Sequence, residues 1–161
     1  MRRSLEDHLT WLTSEIATIE AALAARLEAL AATRDRAALL LSVPGIGVLT
    51  AASLLALLPE LGRLDGKAVA SLAGVAPFAR DSGLMKGRRT IWGGRKTVRT
   101  ALYMATLVAT RHNRTIKAFY ERLRAGGKAK KLALTACMRK LLVILNALLA
   151  SGTSWRAGQP A

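Results

Sequence analysis

Cysteine, histidine and aromatic residues are scarce in this 161-residue sequence, and each shortage excludes a class of protein. One cysteine, Cys137, cannot form an intramolecular disulfide framework or a cysteine-rich zinc site. Two histidines, His8 and His112, lie too far apart along the chain to indicate a histidine-based metal site. Aromatic residues make up 4% of the chain, whereas 30 residues are Ala and 28 are Leu, both strong helix formers. The composition therefore excludes an all-β fold and predicts an all-α one.

Acidic residues are scarce after residue 65. Residues 1–65 contain six basic and eight acidic residues, a net charge of −2. Residues 66–161 contain nineteen basic residues and two acidic ones, Asp81 and Glu121, so the net charge there is +17 and that of the chain is +15. Such a local excess attracts polyanions, with nucleic acid as the leading partner class. An anionic membrane surface and a merely solubilising surface are the alternatives.

A long uncharged run, from Ala37 to Pro59, has the length of a membrane span. However, Pro44-Gly45-Ile46-Gly47 interrupts it, and a single spanning helix with that break exposes unpaired backbone to lipid. The run Leu141–Ala150 is too short to span and contains Asn146. The first residues also lack the apolar stretch of a signal peptide. We therefore expect a cytoplasmic protein without a membrane partner.

Residues 1–37 have the apolar spacing of a coiled coil. The positions alternate in steps of four and three, and they are Leu5, Leu9, Leu12, Ile16, Ile19 and Leu23. No proline or glycine interrupts residues 1–43. We predict a helix that forms a homo-oligomer, and the alternative is a helix that folds back on its own domain.

Around Pro44, an apolar helix end, a Gly-x-Gly turn and a second helix of small residues form a helix-hairpin-helix signature. Gly45 and Gly47 permit a sharp turn, and the following helix N-terminus presents free N–H groups to a phosphate. Such hairpins hold the DNA backbone without reading sequence. The alternative is a tight turn between two core helices.

Residues 74–94 break the helical pattern with five glycines and Pro77. A long loop in a small domain is usually functional. Its basic residues are Arg80, Lys86, Arg88 and Arg89, which we predict to bind phosphate. Trp92 either stacks on a base or anchors the loop in the core, and we favour the anchor.

Three helices are predicted after this loop, over residues 95–111, 113–124 and 128–150, followed by a disordered tail at 151–161. The first begins with Arg95, Lys96 and Arg99, which oppose the helix dipole and suggest that a bound phosphate offsets their charge. Asn113 is a candidate cap for the second helix. Further phosphate ligands are expected on the last helix, at Lys130, Lys131, Arg139 and Lys140. In that helix we expect Cys137 to be a small buried hydrophobic residue.

The sequence contains few residue arrangements that could be catalytic. No Walker-type loop exists, and the two acidic residues of the basic part are too far apart in sequence to indicate a Mg²⁺ site. Ser82 is the one serine in residues 72–150, and its hydroxyl can attack a phosphodiester while neighbouring arginines stabilise the transition state. The alternative is that Asp81-Ser82-Gly83 is ordinary turn chemistry.

Six short sequence motifs follow one another along the chain in an order that is typical of one protein family. They are residues 41–47 (LSVPGIG), 72–77 (LAGVAP), 80–83 (RDSG), 87–95 (GRRTIWGGR), 98–105 (VRTALYMA) and 138–142 (MRKLL). Over residues 38–150 this pattern resembles the C-terminal half of insertion-sequence transposases of the IS-one-ten type, a domain called Transposase 20. The resemblance implies an all-α DNA-binding domain in which Ser82 is the nucleophile that forms a phosphoserine link with DNA.

The same resemblance implies parts that this sequence does not contain. Family members carry an acidic, metal-binding RuvC-like domain before the coiled coil, and a structured guide RNA selects their DNA targets. It implies Mg²⁺ in that missing domain, no cofactor in this chain, and a bacterial, nucleoid-associated location. We therefore expect this chain alone to be inactive. The alternatives are a non-catalytic helix-hairpin-helix module for nucleic acid, and a coiled-coil interaction protein with an acidic partner.

Overall fold

A computed structural model describes residues 2–29, 31–78 and 89–156. Within these ranges the elements are α1 (Arg2–Ala29), α2 (Ala31–Leu41), α3 (Val48–Leu57), α4 (Gly66–Leu72), β1 (Pro77–Phe78), β2 (Thr90–Ile91), α5 (Lys96–His112), α6 (Arg114–Ala125) and α7 (Lys130–Ser151). The all-α class predicted from the composition is confirmed. The predicted boundaries of the last three helices agree with α5, α6 and α7 to within about two residues.

The core lies where α7 packs against α2, α4, α5 and α6, with α3 against α5. Along α7 the buried positions recur at every third or fourth residue, which places one face in the core. Their main members are Ala133, Cys137, Leu141, Leu145 and Leu148. By length and hydropathy α7 is the one helix in the described residues that could cross a membrane, but half of its most apolar window is buried inside the protein. It is the central helix of the core.

The linker between α3 and α4 is tied to two helices. Asn146, on α7, accepts a hydrogen bond from the Gly62 N–H at 2.7 Å and donates one to the Leu64 carbonyl oxygen at 2.8 Å. From α2, the Arg36 guanidinium donates to the Leu61 carbonyl oxygen at 2.8 Å. Asn146 is therefore a buried polar residue with both amide groups satisfied.

Most of α1 stands away from the other helices. Leu5, Leu9, Ile16 and Ile19 are more than half exposed, so the predicted apolar stripe is open along the first five turns. Near its end, α1 packs on α3, where Leu23 and Leu27 line a cavity with Ala52 and Leu55. The folded-back arrangement is thus limited to this end of the helix. Pairing of the open stripe with another copy stays a prediction.

The packed chain continues past the predicted end at residue 150. The Trp155 N–H donates a hydrogen bond to Ser42 Oγ at 2.9 Å, and the Trp155 ring packs against the core. The prediction of disorder from residue 151 is therefore wrong for the segment that reaches Trp155. An apolar ring a few residues beyond a helix can find a core surface that the local polar sequence does not reveal.

Candidate nucleic-acid interface

The predicted nucleophile lies, in sequence, between the two strands of a short hairpin. β1 and β2 pair antiparallel, with Pro77 opposite Ile91 and Phe78 opposite Thr90. We call residues 74–78 and 89–94 the arm. Ser82, Arg80, Lys86 and Arg88 fall between its two halves, outside the described residues.

At the base of the arm, the two halves touch. Gly74 and Gly94 both have positive φ values, and a side chain on either would collide with backbone of the opposite half, Gly93 or Gly74. Across this junction the Arg99 guanidinium donates to the Gly93 carbonyl oxygen at 2.6 Å and makes a longer contact of 3.5 Å with that of Gly74. The Arg95 N–H also donates to the Leu72 carbonyl oxygen at 2.8 Å. The start and the end of the arm are thereby joined to α4 and α5.

Arg95 is paired with a carboxylate in a partly exposed ion pair. Its guanidinium makes a two-pronged ion pair with Glu60, with nitrogen–oxygen distances of 2.6 and 2.7 Å, and also donates to the Leu57 carbonyl oxygen at 3.1 Å. Hydrogen bonds from Arg95 are the main reason that the pKa of Glu60 falls from 4.5 to about 2, and Glu60 in turn raises the pKa of Arg95. The sequence suggested that a phosphate offsets the charge here, but the structure provides a carboxylate.

Of the three cations predicted at the start of α5, this leaves Lys96 exposed and without a carboxylate partner among the described residues. Arg89, on the arm, is likewise exposed. Arg95 and Arg99 hold the arm, whereas Arg89 and Lys96 remain open to an anion.

Trp92 does not anchor the arm in the core, so that expectation is wrong. Its side chain is 73% exposed, beside Gly93 at the end of the hairpin. The base of the arm is instead held by the contacts of Gly74 and Gly94 and by Arg99.

The turn between α2 and α3 is pressed against α5. Gly45 has a φ of +103°, and a Cβ built there would lie 2.8 Å from the backbone of Ala109. Asn113 donates to the Pro44 carbonyl oxygen at 3.4 Å, while its own side-chain oxygen caps α6 by accepting from the N–H groups of Thr115 and Ile116. The capping prediction is confirmed. Gly45 therefore serves close packing in this turn.

Gly47 differs from Gly45 because it faces open space. No atom lies within 4 Å of a Cβ built on Gly47, and it is the N-cap residue of α3 without a side-chain cap. The first N–H groups of α3 are therefore available to an external acceptor. They border an open depression of about 410 Å³ that Thr50, Met104 and Val108 also line.

A third group of cations lies on α6 and α7. Lys130 and Lys131 are exposed, and Arg139 and Lys140 are half-buried. Arg122 and Lys140 approach the ring of Phe119 at 5.2 and 5.4 Å, which brings cations from both helices to one aromatic side chain. The sequence reasoning missed Arg122, although its spacing of three residues from Phe119 on a helix could have indicated the contact. Residues 89–156 contain fifteen basic residues and one acidic one, Glu121.

These groups are not one site. The α7 cations have no described contact with the arm or with the turn at Gly47, so the structure brings together only the arm, Arg95 and Arg99. In the described ranges no three His, Cys, Asp or Glu side chains are grouped so that they could hold a metal ion. Cys137 is fully buried, and burial raises the pKa of its thiol to about 11, which leaves it an unreactive core residue.

Comparison with known proteins points to mobile DNA elements. A family described as "Transposase IS116/IS110/IS902 family" matches residues 37–121, which cover the turn at Gly47, the arm, α5 and most of α6. A Streptomyces coelicolor protein, "Insertion element IS110 uncharacterized 43.6 kDa protein", is 32% identical over 160 residues, 98% of this chain and 38% of that protein.

Two further relatives come from other bacteria. "Pilin gene-inverting protein" of Moraxella lacunata is 36% identical over 118 residues, 71% of this chain and 37% of that protein. "Insertion element IS900 uncharacterized 42 kDa protein" of Mycobacterium paratuberculosis is 34% identical over 117 residues, 70% of this chain and 29% of that protein. The chain thus spans less than two-fifths of the length of these relatives.

Proposed function

This chain belongs to the transposase IS116/IS110/IS902 family, and from that premise we propose that it is the part of a DNA recombinase that binds DNA and supplies the nucleophile for strand cleavage. Relatives of this chain are named for insertion elements and for the inversion of a pilin gene, and both processes rearrange DNA. In the proposal, Ser82 is the nucleophile and the arm holds the segment that carries it.

The observation that carries the proposal is the closed base of the arm. A nucleophile contributes most when its position is set before the substrate arrives, because less entropy is then lost in the transition state. Gly74, Gly94 and Arg99 fix the two points at which the Ser82 segment leaves and rejoins the helices. Residues 89–156, which follow the segment, contain fifteen basic residues and one acidic one.

The reaction proposed for Ser82 conserves the phosphodiester bond energy. Its hydroxyl oxygen attacks a DNA phosphorus and gives up its proton, a P–O bond to one strand end breaks, and the departing oxygen takes up a proton, so that no proton is gained or lost overall. The strand is then held as a phosphoserine ester. Attack by the hydroxyl of another strand end on this ester reverses the step and releases the serine. Positive charge from Arg80, Lys86, Arg88 and Arg89 would stabilise the crowded phosphorus in both steps.

The family resemblance implies Mg²⁺ in another domain of the recombinase. The donor set of the described residues does not fit a metal site, since no three carboxylate, histidine or cysteine side chains come together. Glu60, in the linker after α3, is not free for a metal ion because it forms an ion pair with Arg95. The proposed reaction of Ser82 therefore uses no metal ion held by the described residues.

The proposed partners are DNA, a structured guide RNA and other copies of this chain. DNA phosphates are assigned to the open cations Arg89 and Lys96, to the N–H groups behind Gly47, and to the α7 cations Lys130, Lys131, Arg139 and Lys140. A structured guide RNA is a second candidate for the α7 surface. The open stripe of α1 is assigned to a homo-oligomer. A DNA substrate also places the protein at the bacterial nucleoid, in the cytoplasm.

Substitution of Ser82 tests the proposed chemistry. The measurement is the yield of covalent protein–DNA adduct and of recombinant DNA, made with a transposition-competent protein that contains this domain. Ser82→Ala is expected to abolish both products while duplex affinity changes less than about twofold, because an uncharged hydroxyl contributes little to counterion release. Ser71→Ala, at an exposed serine on α4, is the matched control and is expected to retain both products.

A second function is favoured by the open N-terminus of α3 behind Gly47. In that case the chain is a non-catalytic module that grips the nucleic-acid backbone. Unchanged adduct formation by Ser82→Ala would refute Ser82 as the nucleophile, and retained duplex binding by the same variant would favour this alternative. Failure of the wild-type chain to bind duplex DNA or structured RNA would refute both functions and would favour an acidic protein partner.

A further inference from the structure

The arm carries an unusual share of the few aromatic residues of this protein. The chain has three Trp, two Tyr and two Phe residues, and two of these seven, Phe78 and Trp92, lie on the arm. Phe78 is 45% exposed and Trp92 is 73% exposed. Two large exposed rings on one short hairpin make the arm a candidate binding surface.

The hairpin brings the two rings to neighbouring strands. Phe78 is paired with Thr90, and paired residues lie on the same face of a hairpin. Trp92 follows the last residue of β2, Ile91, which is half-buried. The arm therefore presents one exposed ring on β1 and one directly after β2.

Neither ring takes part in a ring-stacking or cation–ring contact within the described part of the protein. The described ring stacking joins His8 to Trp11, and the described cation–ring contacts involve Phe119. Exposed Arg89 and Lys96 lie on either side of Trp92 along the chain. Open aromatic faces beside open cations are the combination by which proteins bind unpaired nucleotides: the bases stack and the phosphates pair with the cations.

We propose that Phe78 and Trp92 form a stacking platform for DNA bases that have left the duplex next to the Ser82 segment. This proposal rests on the proposed function, since it takes DNA as the substrate. Duplex DNA buries its bases, so the platform cannot engage until base pairs open. The arm then selects opened DNA and holds it where the segment between β1 and β2 begins and ends. A hydrophobic protein partner suits this surface less well, because Arg89 and Lys96, the exposed charges on either side of Trp92, are both positive.

The test compares two DNA probes with the 161-residue chain. One is a fluorescein-labelled duplex of uniform pairing, and the other is the same duplex with a central unpaired bubble. Trp92→Ala is expected to weaken bubble binding about 5- to 150-fold, the range typical when a ring that stacks on one base is removed. Phe78→Ala is expected to act in the same direction. Binding of the paired duplex is expected to change less than about twofold, because the cations and α7 are untouched.

Two control variants separate the role of the Trp92 ring from the general effect of losing a tryptophan. Trp11→Ala removes another exposed tryptophan, on α1, and is expected to leave both affinities unchanged. Trp92→Phe keeps an aromatic face and is expected to retain most of the preference for the bubble. In a Trp11→Phe, Trp155→Phe background, Trp92 fluorescence is expected to be quenched by the bubble probe and not by the duplex.

Several results would overturn the platform. Equal losses on bubble and duplex would show that Trp92 supports general binding, and no loss on either would show that it binds no base. A Trp92-dependent preference for an RNA hairpin loop over bubble DNA would reassign the surface to RNA. If Trp92→Ala spares DNA binding but prevents association with the remainder of a full-length recombinase, the arm is a domain contact. Failure of the wild-type chain to bind either DNA probe refutes the proposed function itself, which the previous outcomes leave intact.

Discussion

α1 and the helical body that follows it, α2 to α7, are made from similar residues but use them differently. In α1, Leu9 and Ile19 are 62% and 61% exposed, whereas in the body Leu102 and Leu141 are fully buried. Residues 2–29 also carry more acidic than basic residues, whereas the body is strongly basic. The body satisfies its apolar residues internally and presents charge, so it suits a polyanion. The apolar stripe of α1 remains open, so it suits a protein partner.

Leucine-to-alanine substitutions in the body and in α1 are expected to differ most, in their effect on the free energy of unfolding. Leu102→Ala, in the core between α5 and its neighbours, is expected to lower the free energy of unfolding by about 2–5 kcal/mol. Leu9→Ala, measured at a concentration where the chain is monomeric, is expected to change it by less than about 0.5 kcal/mol. Urea denaturation followed by circular dichroism measures both. Similar losses from the two variants would break the distinction between α1 and the body.

Charging the stripe tests what it is for. Ile16→Asp is expected to weaken self-association at least about tenfold, because an unpaired carboxylate is costly at an apolar interface. The melting temperature of the monomeric body is expected to stay the same. Sedimentation equilibrium measures the association.

Ser14→Asp is the control for that measurement, since Ser14 lies on α1 outside the apolar stripe. It is expected to associate like the wild type. A wild-type chain that is monomeric at every concentration, or equal association by both variants, would contradict a homo-oligomer through α1.

Acid sensitivity tests the link between Glu60 and Arg95 that crosses the body. The pKa of Glu60 is lowered from 4.5 to about 2 by its hydrogen bonds with Arg95. A lowered pKa in the folded state stabilises the protein above pH 4.5, and this contribution is lost as the pH falls from 4.5 towards 2. Glu60→Gln is therefore expected to be less stable than the wild type at pH 7, with a difference that shrinks across this interval.

Thermal unfolding at pH 7, 4.5 and 3 measures that difference, and Asp65→Asn serves as an unpaired comparison because Asp65 caps α4 by accepting from the Ala68 N–H instead. A constant difference between wild type and Glu60→Gln at all three pH values would show that the ion pair contributes nothing to stability.

The smallest expected effect concerns the charges on α7. A Lys130→Gln, Lys131→Gln variant is expected to reduce the dependence of duplex affinity on salt, by about 0.9 in the logarithmic slope for each DNA phosphate that the variant no longer neutralises. Loss of stability should not complicate the result, because lysines at a helix N-terminus oppose its dipole. Arg63→Gln, an exposed cation of the α3–α4 linker near the other end of α7, is expected to leave the slope unchanged. Equal slopes for both variants would remove α7 from the DNA interface.

Local sequence signals predicted much of the helical body. Asn113 caps α6 as expected because a cap needs only the N–H groups two and three residues ahead. The break in helical pattern after α4 was also anticipated, but the β1–β2 pairing was not, since Pro77 and Phe78 pair with residues beyond the intervening segment. We expected Trp92 to anchor the arm in the core, yet its ring is exposed, and the base of the arm is held by Gly74, Gly94 and Arg99 instead.

The sequence predicted which residues belong to the candidate site, but it did not predict what each of them binds. Arg95, Lys96 and Arg99 are equivalent in sequence, and we expected all of them to bind phosphate. In the structure Arg95 binds a carboxylate and Arg99 binds carbonyl groups, which leaves Lys96 open. Gly45 and Gly47 divide in the same way, one packed against Ala109 and the other facing solvent.

The sequence by itself determined the helical class, the apolar stripe of α1, the family, and the separation of charge into −2 and +17. These properties depend on composition and on spacings within a few turns of helix. Tertiary structure decided which charges remain unpaired and which rings remain exposed. Glu60 lies 35 residues before Arg95, so only the packing of α3 and the linker after it against α5 brings the two together. Whether a cation is free for DNA depends on such distant neighbours, and no local pattern encodes them.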